Sequence, residues 1–269
     1  MPVTYGMLFI NTPMNDTLSA NKAIVNGTGE TTIVFLHYFG GSALSWQWVV
    51  NILKDSYKCV AINQPGFGGS PMLAQPSIEG FATYVQQQLI NLGVVNYVLV
   101  GHSMGGKIAL QVAANEGDSG RVQQLILLAP SPPSIERMPE NEKQRMLNHP
   151  NAEEAATTIK NGTVLPLTTN QHELAIDTQY ITDNNTWRWW LEEGMNHSIA
   201  DVTKGLTLPI TVIASKEDPA VTYKMTTADT MPNLPLHARL ITTDGMGHLY
   251  QLESPGWLAE TLKLVIERK

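Results

Sequence analysis

The chain has 269 residues, 43% of them apolar and 15% charged, enough to bury a substantial core in one large domain without covalent staples. A net charge of −7 provides no clustered basic footprint for nucleic acid and argues against docking on phosphate-rich membrane surfaces. The single cysteine, Cys59, excludes an internal disulfide, and no Cys/His spacing suggests zinc.

Residues 1–17 lack a basic start and carry only a very short apolar stretch, so no signal peptide is predicted and a cytoplasmic location is expected. Thr31–His37 (TTIVFLH) is apolar almost continuously, as a strand covered on both faces should be. Helical patterning follows over 43–54. Lys58–Asn63 is the next strand, with Cys59 read as a small buried hydrophobe. It ends in the turn-rich Gln64–Ser70 (QPGFGGS). Ser77 opens a helix to about Leu92, Asn96–Gly101 is a third strand, Met104–Asn115 a helix and Val122–Ala129 a fourth strand.

The rhythm breaks at Ser131-Pro132-Pro133. No strand is predicted from about Ile135 to Ala200, a polar, helix-prone stretch carrying the cluster Trp187–Trp190. Alternation resumes with a strand at Leu208–Ser215, a helix over 221–230, a strand at Leu236–Thr243 and a terminal helix opened by Ser254-Pro255. Such alternation predicts an α/β protein with a mostly parallel sheet. Residues 1–133 and 201–269 form its core domain, and 134–200 a helical insertion that covers the site as a lid.

The segment Gly101-His102-Ser103-Met104-Gly105 lies between a buried strand and a helix. That is the G-x-S-x-G nucleophile elbow in the context it requires: a sharp, strained turn that lifts the serine hydroxyl above the sheet. His102 is expected to point away from Ser103. A serine needs a base, and the base an orienting acid, in the chain order Ser, Asp or Glu, His. Asp218, after a late strand, is the predicted acid, with Glu217 its neighbouring rival. His248, in the glycine-flanked loop Asp244–Leu249 after the last strand, is the predicted base. Backbone N–H groups of Met104 and of Phe39, with Tyr38 as alternative to Phe39, are the predicted oxyanion donors. His37 is read as stabilising that loop.

The His37–Ser42 loop, QPGFGGS, GHSMGG at Gly101–Gly106, Asp218 and Gly-Met-Gly-His at 245–248 together resemble the α/β-hydrolase superfamily. The resemblance runs from about Thr31 to the C-terminus and implies the α/β-hydrolase fold with a helical lid. It is similar to lid-bearing esterases, lactonases, perhydrolases and C–C bond hydrolases. The chain departs from the pattern at Tyr38, where glycine usually follows the histidine, at Asn63, where aspartate is usual, and at Lys107, read as a stem on the surface. A serine nucleophile argues against the branches that use an aspartate to form an alkyl-enzyme.

The implied activity is cleavage of a small to medium, partly apolar carboxylic ester or lactone through an acyl-enzyme on Ser103, without cofactor or metal. Tyr38, Met138, Trp187, Trp190 and Leu249 are the expected pocket liners, although the tryptophans also suit docking of the lid. The expected partner is the small-molecule substrate, with no nucleic acid or membrane, in a monomer or homodimer. Three other readings use the same scaffold: C–C bond hydrolysis or lyase chemistry, perhydrolysis, and a non-catalytic ligand receptor.

Overall fold

The computed structural model describes residues 23–268; the N-terminal stretch read above for a signal peptide lies outside them. Seven strands form one sheet in the order β1-β3-β2-β4-β5-β6-β7. They are β1 (Ala23–Asn26), β2 (Thr32–Leu36), β3 (Lys58–Ile62), β4 (Tyr97–His102), β5 (Val122–Leu128), β6 (Ile210–Ser215) and β7 (Arg239–Thr243). Every neighbouring pair is parallel except β1 with β3. Strand β1 was not anticipated. At four residues, two of them exposed, this edge strand carries almost no hydrophobic pattern.

The unbroken apolar runs are explained by the two cores they serve. In β2, Val34 and Leu36 join one cluster with Phe81, Ile108 and the tryptophans, while Ile33 and Phe35 join the other with Trp46 and Leu262. Successive side chains point to opposite faces, so a strand covered on both sides has no polar position to spare. Helices supply the covers: α1 (Gln47–Leu53), preceded by a 3₁₀ turn at Ala43–Trp46, α2 (Ile78–Asn91) and α3 (Met104–Glu116). Ser77 caps α2 by accepting the Gly80 N–H at 3.0 Å, satisfying a donor the helix cannot. Cys59 is fully buried and free. Burial pushes its thiol up to about 12, which leaves it inert at neutral pH.

Between β5 and β6 the described chain is helical: α4 (Glu140–Met146), α5 (Ala152–Gly162), α6 (Thr169–Tyr180), α7 (Asn184–Glu192) and α8 (Ala200–Thr203). Asn151, Thr168 and Asp183 cap α5, α6 and α7 through their side-chain oxygens. This insertion packs on the loop after β3. Asp183 N–H donates to Gly66 O at 2.8 Å, and a Cβ on Gly66 would lie 2.1 Å from the Thr186 hydroxyl, so only glycine allows the approach.

After β6 the expected ten-residue helix is replaced by the short turn α9 (Tyr223–Met225) and a π-helical turn over Thr226–Thr230. The Thr227 hydroxyl donates back to the carbonyls of Tyr223 and Lys224, competing with regular helix bonding. The chain ends with α10 (Tyr250–Glu253) and α11 (Pro255–Glu267). Among the described residues no helix is long and apolar enough to cross a membrane.

Candidate active site

Ser103 lies between β4 and α3 with φ 53° and ψ −119°, a conformation an L-residue with a side chain rarely adopts. The neighbours impose it. A Cβ on Gly101 would meet Gly105 O at 2.5 Å, and one on Gly105 would meet His37 O at 2.5 Å, so the strand, the turn and α3 close on each other only because both positions are bare. The Ser103 N–H donates to Leu128 O, and its carbonyl accepts from the Gly106 and Ser131 N–H groups. The backbone is therefore pinned on both sides and the side chain, 7% exposed, is held at the start of α3.

His248 Nδ1 lies 2.9 Å from Asp218 Oδ2. The other Asp218 oxygen accepts from the N–H groups of Ala220 and Val221 at 2.9 and 3.0 Å. With the carboxylate saturated by donors, His248 carries its proton on Nδ1 and leaves Nε2 unprotonated. Burial works against the imidazolium, yet Asp218, aided by Glu136 and Glu253, raises the His248 pKa above its ordinary value. Glu217, the rival acid, turns away: it accepts from the Gly245 N–H at 2.8 Å and ties the end of β6 to the loop bearing His248.

Ser103 and His248 line one cavity of about 380 Å³ together with Tyr38, Phe39, Trp190 and Leu249. Met138 and Ile159 bring the insertion to the same wall. Trp187, expected beside Trp190, does not line it. Its ring sits 4.1 Å from Phe39 and 4.2 Å from His149, and its Nε1–H donates to Met146 O at 2.7 Å. Trp187 thus docks the insertion from behind Phe39, and Trp189 stacks on Phe81. Neither the Phe39, the Tyr38 nor the Met104 backbone N–H has an acceptor among the described residues, so both places proposed to supply an oxyanion donor are unspent.

The residues around this constellation are held by their own hydrogen bonds. His37 Nε2 accepts the Gln64 N–H at 3.1 Å, so its proton is on Nδ1, which donates to Tyr38 O at 2.8 Å. Burial holds its pKa down to about 4, and the neutral ring braces the loop. Asn63 accepts from the Ala43 N–H at 2.7 Å and donates to Gly68 O at 3.1 Å, a pairing that needs an amide and that an aspartate could not make. His102 is buried 4.8 Å from the His248 ring, with burial pushing its pKa well below the usual value. It is a neutral packing group.

The reading of Lys107 as a surface stem is corrected. Lys107 is 0% exposed, and its ammonium donates to Ser134 O at 2.9 Å and Met195 O at 3.2 Å. Burial lowers its pKa to about 8. Two carboxylates had no sequence signal. Glu136, on the loop leading to the insertion, lines the cavity. Glu253, at the end of α10, accepts from four backbone N–H groups, those of Val164, Leu165, Gly247 and Leu249, at 2.8 to 3.0 Å.

These features define the α/β-hydrolase fold. The family described as alpha/beta hydrolase fold matches residues 31–156. Over 105 residues the chain is 36% identical to the dihydrolipoyllysine-residue acetyltransferase component of the acetoin cleaving system of Cupriavidus necator, covering 39% of this chain and 28% of that one. Over 92 residues it is 33% identical to the 2-succinyl-6-hydroxy-2,4-cyclohexadiene-1-carboxylate synthase of Escherichia coli O157:H7, covering 34% and 36%. The match therefore spans about a third of the length of these relatives.

Solved structures extend the likeness of fold to nearly the whole chain. An esterase from Exiguobacterium antarcticum superposes with a TM-score of 0.82 at 18% identity, covering 91% of this chain and 94% of that one. A carboxylesterase from Bacillus subtilis does so at 0.79 and 18% identity, covering 92% and 87%. An N-acyl homoserine lactone degrading enzyme gives 0.73 and 24% identity, covering 90% and 95%.

Proposed function

We propose that this protein is a serine hydrolase that cleaves a carboxylic ester or lactone of a small to medium, partly apolar substrate. The observation that carries the proposal is a serine in a strained elbow sharing a cavity with a histidine whose Nδ1 is held at 2.9 Å by a saturated aspartate. His248 Nε2 takes the Ser103 proton as Oγ bonds to the carbonyl carbon, and Asp218 stabilises the imidazolium. The N–H groups of Met104 and Phe39 hold the oxyanion, each worth about 10²–10³ in rate. The oxyanion collapses, the bond to the alcohol breaks, and His248 gives its proton to the departing oxygen. Water then repeats the sequence against the acyl-enzyme and releases the acid. The insertion over 134–200 acts as the lid, and the pocket walls of Tyr38, Met138, Trp190 and Leu249 take the apolar part of the substrate.

The experiment is turnover of a p-nitrophenyl ester by wild type and Ser103→Ala, with fluorophosphonate labelling alongside. Loss of both turnover and label in a folded Ser103→Ala protein is expected. Near-wild-type turnover by that variant would refute the assignment. The partial likeness to a cyclohexadiene carboxylate synthase favours one second reading, C–C bond cleavage or lyase chemistry by the same three residues. Faster Ser103-dependent turnover of a β-diketone than of any ester in a panel would select it.

A further inference from the structure

One wall of the cavity carries a polar group that the ester chemistry does not use. Glu136 lines the cavity, and its Oε2 is buried with no hydrogen-bond partner among the described residues. A buried acceptor left unpaired is costly, and native proteins keep such groups where something else completes them. The residue is not loosely placed. Its N–H donates to Met195 O at 2.9 Å, and the same carbonyl accepts from the Lys107 ammonium at 3.2 Å.

Lys107 thus stands behind Glu136 as a buried compensating cation, spent on two carbonyls and unable to reach the ligand space itself. Burial pushes the Glu136 carboxyl up, while the Ser131 hydroxyl, Lys107 and His248 pull the other way. The other charged groups on this wall are engaged elsewhere. Arg137 pairs with Asp229 at 3.5 Å in an exposed position, and Glu142 pairs with Arg145.

We propose that Glu136 is a specificity-determining residue: it selects substrates bearing an ammonium or a hydrogen-bond donor remote from the scissile carbonyl and rejects those bearing a carboxylate there. This rests on the ester-hydrolase reading above. The apolar stretch of substrate lies along Met138, Ile159 and Trp190, and its polar end meets the Glu136 carboxylate. A carboxylate in that place would face Glu136 with the Lys107 ammonium already spent on two carbonyls.

The test compares three p-nitrophenyl esters of matched length, hexanoate, 6-aminohexanoate and monoadipate, on wild type and Glu136→Gln. Wild type should hydrolyse the ammonium ester with kcat/KM at least about ten-fold above the carboxylate ester, the scale of one charge-assisted hydrogen bond. In Glu136→Gln that ratio should fall towards one. The net charge favours a cation at long range in both proteins, so the difference between them isolates the residue. A residue that only supports the fold would depress all three esters alike, and an unchanged ratio overturns the proposal.

If Glu136→Gln does not fold, Glu136→Gln/Lys107→Met removes both buried charges and is read the same way. A second readout needs no turnover: titration of hexylammonium against hexanoate, followed by tryptophan fluorescence. A preference for hexylammonium that the variant loses supports the proposal even if no ester is cleaved. A preference absent from wild type, or equal in both proteins, overturns it. An unchanged ratio with intact Ser103-dependent turnover sinks this inference alone, whereas absence of turnover and of fluorophosphonate label sinks the ester reading.

Discussion

The backbone N–H of His248 donates to the carbonyl of Gly162 at 2.6 Å, tying the loop that carries the imidazole to the last residue of α5 in the insertion. Glu253 reinforces the same seam. One of its oxygens accepts from Val164 and Leu165 on the insertion and from Gly247 beside His248, and the other from Leu249. The position of His248 is therefore set partly by the helical insertion.

Glu253→Ala should slow the reaction without touching the three proposed catalytic side chains. It strands the buried N–H groups of Gly247 and Leu249, at about 1–3 kcal/mol each. Fluorophosphonate labelling of Ser103 should fall roughly ten-fold, since a loop free to shift by an ångström loses proton-transfer geometry. Glu253→Gln keeps one acceptor oxygen and should recover part of the rate. Labelling at the wild-type rate in Glu253→Ala would show that the seam does not hold the base.

Asp218→Asn should lower kcat on the order of 10³–10⁴-fold with little change in fold. The two backbone donors at Ala220 and Val221 retain the amide oxygen, which turns the amide N–H towards His248 Nδ1, so Nδ1 must accept and the histidine loses its tautomer; the flipped amide would set N–H against both backbone donors. Steady-state kinetics on a p-nitrophenyl ester measures this directly.

The pH profile follows from the raised His248 pKa. The base acts unprotonated, so kcat/KM should fall on the acid side with a midpoint above about 6.5, the usual histidine value. In Asp218→Asn the largest opposing influence is burial, which lowers the pKa, so the residual activity should show that midpoint displaced to lower pH. The same pair contributes stability of the opposite sense. It is fully present below the unfolded histidine pKa and is lost as pH rises through the folded value. Denaturant melts across that window, compared with Asp218→Asn, read the second effect.

Lys107 makes a prediction in the alkaline range. Its pKa is lowered from 10.5 to about 8, so between those values the unfolded chain binds more protons than the folded one. Stability should then rise with pH across that interval relative to Lys107→Met. Parallel urea melts at pH 8 and pH 10 measure the difference, and equal slopes for the two proteins would mean that the ammonium is not buried.

Much of the candidate site was legible because the proposed chemistry forces local sequence. The elbow needs glycine at 101 and 105, where a Cβ would strike backbone, and that requirement shows as G-x-S-x-G. Asp218 and His248 follow strands that announce themselves by apolar runs. What stayed hidden depends on contacts between distant segments. Trp187 and Trp190 share a helix face, yet their roles separate through Phe39 and His149, which sequence spacing does not bring together. Lys107 looks like a helix-surface cation until the loop at Ser134 and Met195 closes over it. Glu136 and Glu253 carry no motif, because what they do is set by which backbone and which cavity they face.

The insertion is sewn to the body along two edges, at Asp183 with Gly66 and at Gly162 with His248. On the proposed mechanism, opening the second edge to admit a bulkier guest would drag the imidazole away from Ser103, so the doorway and the chemistry share a hinge pin. A lid hydrolase of the proposed kind is idle whenever it gapes, and a half-entered molecule meets a catalyst that has not yet been assembled.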